Sequence, residues 1–119
     1  MKREIRVLGI DDCPHERSDA EVRIIGCVFR GGEWLDVVMS TSVAVDGDDS
    51  TIKLIEMINK SKFKKQIQCI FIDGIAFGGF NVVNIHGLHT HVGIPVIVVV
   101  RHLPDFDGIK NKRRKLSLQ

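Results

Sequence analysis

The chain has 119 residues, of which 44% are hydrophobic and 27% charged, with 17 basic against 15 acidic side chains. This length and balance predict one domain over residues 1–119 and exclude an intrinsically disordered chain. A formal net charge of +2 does not by itself indicate nucleic acid, and the longest apolar run, 94–100, is too short to cross a bilayer.

Residues 5–10 are short, β-branched and mostly apolar, and they stop at Asp11-Asp12-Cys13-Pro14, which predicts a strand running into a loop. Residues 21–30 predict a second strand, Gly31-Gly32-Glu33 a hairpin turn, and 34–45 a third strand long enough to hold a bulge. Short connections make these three an antiparallel meander. The loop 46–51 is rich in helix N-cap residues, and the apolar spacing that follows predicts a helix over 51–61. Residues 67–72 form a continuous apolar run ending at Asp73-Gly74, the pattern of a strand buried on both faces. Gly78-Gly79 breaks the chain, residues 80–92 predict a helix capped by Gly93, and 95–100 a further fully apolar strand. A short polar helix is expected after Pro104. The order β-β-β-α-β-α-β predicts an α/β fold with a mixed sheet and flanking helices. The start of the chain shows no secretory leader, and Cys13, Cys27 and Cys69 are scattered without close pairs. Both features predict a reduced cytoplasmic protein, with Cys27 and Cys69 as small core residues.

In open α/β sheets polar sites gather at the carboxyl ends of strands. Here the first strand ends in Asp11-Asp12, the third in Asp46 with Asp48 and Asp49 just after it, and the fourth in Asp73. If the first and fourth strands are neighbours, Asp11 and Asp73 lie about 5 Å apart at the backbone. Carboxylates that close repel unless a cation neutralises them, and oxygen ligands suit Mg²⁺ or Mn²⁺. Asp residues at strand ends also serve as plain solvated turn formers. The Gly-rich stretch 74–81, with Gly78 and Gly79, follows a buried strand and would let a phosphate approach backbone N–H groups at a helix start; a tight structural turn explains it equally well. Phe77 and Phe80 beside it read as core residues rather than as base-stacking platforms. Of His86, His89 and His91, one is expected partly buried and two at the surface. Arg101 ends the last strand, where it would hold a phosphate, and the run 110–115 has five basic residues of six.

Residues 6–12, Val45-Asp46-Gly47 and the segment 71–101, with its DGIAFGGFNVV, together resemble an uncharacterised, mainly archaeal family related to endonuclease V. The resemblance covers nearly the whole chain and implies a ribonuclease H-like fold and a Mg²⁺- or Mn²⁺-dependent nuclease acting on DNA or RNA. It carries metal-holding catalytic roles onto Asp11 and Asp73, and a third onto Asp46, with Asp48 and Asp49 close by. Asn84, or His86 near it, stands where a further acid faces the metals. The Pro-Tyr-Ile-Pro wedge of endonuclease V has no counterpart before Val43, and its His-Pro-Arg-Arg is replaced by Ala76-Phe77-Gly78-Gly79. A non-catalytic nucleic-acid-binding module and a structural dimeric subunit are the alternatives. The chain is short for the family, so a partner subunit is expected to cover one sheet face, which predicts a homodimer.

Overall fold

The computed structural model describes residues 5–16 and 18–99. Arg101, the basic run 110–115 and the expected final helix lie outside the described residues.

Among the described residues, seven strands and two α-helices follow one another in the order the apolar patterning predicts, with one added hairpin. The meander is β1 (Arg6–Asp12), β2 (Glu21–Arg30) and β3 (Trp34–Ala44). Helix α1 (Ser50–Lys60) and a short 3₁₀ turn (Lys64–Gln66) lead into β4 (Cys69–Asp73). Then come the two-residue strands β5 (Ala76–Phe77) and β6 (Asn81–Val82), helix α2 (Ile85–Val92) and β7 (Val96–Val99). The main sheet has the order β3-β2-β1-β4-β7, antiparallel from β3 to β1 and parallel from β1 to β7. The expected bulge is present: Val28 pairs with Val37 and Phe29 with Leu35, leaving Asp36 as the extra residue. Asp36 bonds Arg6 Nε at 3.1 Å and lies 3.6 Å from Arg30 Nε.

Alternation along the strands decides where the core sits. Leu8, Ile10, Val22, Ile24, Val28, Ile70 and Ile72 point to one face and are buried beneath Leu54, Met57 and Ile58 of α1 and Leu88 and Val92 of α2. Gly26 sits in this layer because a Cβ there would press on Met39, Leu8 and Met57. The other face carries Ile25, Cys27, Phe29, Phe71, Ile97 and Val99, none of them fully buried. The expectation of two strands buried on both faces is therefore corrected. β4 alternates buried with half-buried residues and β7 half-buried with exposed ones, because both helices pack on the same side. Cys27 and Cys69 are half-buried on the second face rather than core residues.

The helix expected over 80–92 is also shorter than predicted. Its first residues form the β5–β6 hairpin, with Ala76 opposite Val82 and Phe77 opposite Asn81. Helix α2 begins only after Asn84, whose side chain accepts from the Gly87 amide as an N-cap, and it ends at left-handed Gly93. That capping role accounts for Asn84. The three histidines of this region are all exposed, against the expectation of one partly buried ring. His89 Nδ1 meets the Ile94 carbonyl at 2.9 Å and His91 Nδ1 the Gly87 carbonyl at 2.8 Å.

Candidate functional site

The parallel pairing of β1 with β4 runs from Val7 opposite Cys69 to Ile10 opposite Ile72. Asp11 and Asp73 follow directly on adjacent strands at their carboxyl ends, flanked across the sheet by Ile25 and Val99. Both acids line one hollow of about 300 Å³ on the open sheet face, with Gly9, Cys27, Phe29 and Phe71 beneath them. Burial against these apolar side chains raises the Asp11 carboxyl above its ordinary value. A hydrogen bond from the Asp12 amide, at 2.8 Å, opposes the rise, and the neighbouring charge of Asp73 adds to it. Two carboxylates whose charges oppose one another form a donor set that suits a hard divalent cation, which typically takes one or two protein carboxylates and completes its shell with water and phosphate oxygens.

Asp46 lies in a different setting. It follows β3 with φ of 54°, the single non-glycine residue in the left-handed region among the described residues. Its amide donates to the Gly78 carbonyl at 2.8 Å, and its Oδ1 accepts from the Phe80 amide at 2.9 Å. It lines a second hollow, of about 540 Å³, with His15, Val45, Gly79 and Phe80. Asp11 and Asp73 are thus brought together on one hollow and Asp46 on another. Among the described residues, no group of three or more His, Cys, Asp or Glu side chains is arranged to hold a metal ion.

Gly78 and Gly79 occupy the tip of the β5–β6 hairpin rather than a helix start. Their φ values are 53° and 83°, and a Cβ on Gly79 would collide with the Asp46 carboxylate. The Gly78 amide donates to Asp12 Oδ2 at 2.9 Å, so that N–H already serves a carboxylate. Asp12 was missed by sequence reasoning: its carboxylate accepts from the Gly78 amide and so fixes the hairpin to the end of β1. Asn81 was missed too. It is fully buried, and its Nδ2 donates to the Ala44 carbonyl and to Asp49 Oδ1, each at 2.7 Å, while its Oδ1 accepts from the Ser50 amide at 3.0 Å. Burial alone would push the Asp49 carboxyl up. Hydrogen bonds from Asn81 and the Ala44 amide outweigh it and hold that carboxyl below the usual range. Of the alternatives for a third acid, Asp49 is therefore committed to the loop. The two aromatics of the hairpin divide: Phe77 is fully buried as expected, whereas Phe80 is 82% exposed, which overturns its reading as core.

Comparison with known proteins agrees with this architecture. A family model described as Endonuclease dU matches residues 3–117. A UPF0215 protein of Methanothermobacter thermautotrophicus is 55% identical over 111 residues, covering 92% of this chain and 54% of that protein. A UPF0215 protein of Methanopyrus kandleri is 50% identical over 128 residues, covering 100% of this chain and 65% of its own length. This chain thus spans little more than half the length of the first of these relatives. Among solved structures, a protein of unknown function from Archaeoglobus fulgidus aligns with a TM-score of 0.79 and 41% identity over 93% of this chain and 62% of that one. Human endonuclease V aligns with a TM-score of 0.63 and 18% identity, covering 95% of this chain and 55% of that one, a likeness of fold.

Proposed function

The chain belongs to the endonuclease dU family, and from that membership we propose that it is a divalent-metal-dependent endonuclease that cuts nucleic-acid strands. The family's name makes a deoxyuridine-containing DNA strand the first substrate to try. The observation that carries the reading is the Asp11–Asp73 pair at the ends of adjacent parallel strands. In this proposal Asp11 and Asp73 hold Mg²⁺ or Mn²⁺ and Gly79 and Arg101 contact phosphate, while Asp46 as third acid and Gly78 as a further phosphate contact would each have to exchange the hydrogen bond that now holds the hairpin.

When bound there, such a cation supplies an activated water and charge neutralisation for phosphodiester hydrolysis. The chain's own contribution is placement. Asp11 and Asp73 are fixed by the β1–β4 register, and the Asp12 amide steadies the Asp11 carboxylate. The apolar floor of Cys27, Phe29 and Phe71 lowers the local dielectric and strengthens every charge interaction above it. A homodimer joined through the open face is part of the proposal, supported by exposed Phe29, Val38, Ile97 and Val99.

Cleavage of a deoxyuridine-containing strand with Mn²⁺ or Mg²⁺, and its abolition by EDTA, is the expected result. Asp73→Asn should lower the rate about a thousandfold, the loss of several kcal/mol of charge stabilisation. Unchanged cutting by Asp73→Asn would sink the reading. The turn of the Asp46 carboxylate toward the hairpin favours a second one, a module that binds strands without cutting them. It predicts a gel shift indifferent to both EDTA and Asp73→Asn.

A further inference from the structure

The β5–β6 tip combines features that do not normally occur together. A large aromatic that water surrounds is a cost that a mobile turn would reduce by folding the ring down. This turn is not free to do so. The Gly78 amide is tied to Asp12, the Gly78 carbonyl to the Asp46 amide, and the Phe80 amide to the Asp46 carboxylate. Phe77 on one side of the tip and Asn81 on the other are both fully buried anchors. The ring between them stands 82% exposed. It borders a hollow of about 540 Å³ whose other walls are His15, Val45, Asp46 and Gly79. That hollow has an aromatic wall, an aliphatic wall and polar side chains, which is the make-up of a seat for a flat heteroaromatic ring. Its location matters as well. Asp12, which ties the tip down, adjoins Asp11 in sequence, so the hairpin is anchored to the strand end that carries the first acid.

We propose that Phe80 is a stacking platform for an unpaired nucleobase of the bound strand, received into the hollow between the β5–β6 tip and His15. This rests on the proposed action on nucleic-acid strands and names how the strand is gripped. The clamp explains why a rigid tip is worth its cost: a ring already held in place loses little entropy when a base stacks on it. Stacking is indifferent to base identity, because every base presents a π-face. The hollow therefore grips the strand, while discrimination between bases falls to the polar walls.

The test uses the full chain and a single-stranded DNA carrying 2-aminopurine, titrated in EDTA so that no cutting proceeds. The wild type should bind the strand and quench the 2-aminopurine fluorescence. Phe80→Ala should bind about ten- to a hundredfold more weakly and lose the quenching, the usual effect of removing one base–aromatic stack. Phe80→Trp should restore both. Because the ring is exposed, all three proteins should melt at the same temperature, so a folding defect is not confused with a lost contact. If the wild type binds and Phe80→Ala binds and quenches equally, the platform is refuted while the nuclease reading stands. If the wild type neither binds nor cuts any strand, the nuclease reading falls and takes the platform with it.

Discussion

Asp49 shows how one buried amide and one carboxylate fix a loop. The Asn81 side chain joins three elements of the chain: the end of β3 through the Ala44 carbonyl, the start of α1 through the Ser50 amide, and the loop between them through Asp49. An unpaired buried amide costs far more than a paired one gains, so these bonds hold as a set. Asp49's carboxyl is lowered on folding, so its ionised form contributes stability above the unfolded value of about 4. That contribution is lost as pH falls through the lower folded value. Asp49→Asn should therefore be less stable than the wild type at neutral pH by about 1 kcal/mol, kept small because the carboxylate reaches solvent. The gap should start to narrow below about pH 4 and close only once the pH is under the lower folded value, where both proteins carry a neutral side chain. Urea unfolding at neutral and acidic pH reads it directly, and a gap that widens in acid would contradict the assignment.

Local pattern accounts for most elements but not for the hairpin. The strands of the meander, helix α1 and the caps of α2 are written in nearby residues: β-branched runs, a Gly-Gly turn, an Asn before and a Gly after the helix. The β5–β6 hairpin is held instead by Asp12 and Asp46, 66 and 34 residues away from the amides they accept. No short window contains that information, which is why residues 80–84 look like the start of a helix. The glycines are the one local trace, since two successive positive φ angles require them. Gly79→Ala meets both a strained backbone and the Asp46 carboxylate. It should cost about 1–3 kcal/mol and loosen the tip before the rest of the domain. The Val83 amide, which donates to the Ile75 carbonyl at 2.8 Å, reports this. Its hydrogen exchange should accelerate in Gly79→Ala while that of the Ile70 amide in the central sheet stays slow. Equal acceleration of both would mean that the hairpin and sheet open as one unit.

At the scale of the molecule, the succession of elements and the mixed sheet follow from the sequence, and the observed pairing of β1 with β4 brings the acid pair onto neighbouring strands. What the sequence could not show is which face of β4 would be covered. Cys69 to Asp73 is apolar on both sides up to its terminal acid, and an apolar run reads the same whether its second face meets a helix or nothing. In the structure α1 and α2 share one face, and Ile25, Cys27, Phe29, Phe71 and Val99 are left on the other, around the acids. Apolar surface contiguous with a charged site is costly to leave in water and strengthens the site when it is covered. The proposed homodimer would do both, and Cys27 sits where this can be read. Its thiol lines the same hollow as Asp11 and Asp73. In dilute protein a thiol reagent should label Cys27 readily, with labelling followed site by site against Cys13. As the protein is concentrated, Cys27 labelling should slow by mass action while Cys13 labelling does not. Replacing Phe29 by Lys should abolish the concentration dependence without slowing the reaction in dilute protein. A Cys27 rate independent of concentration in the wild type would mean that two copies do not meet through this face, and that the hollow around the acids remains open to solvent on its apolar side.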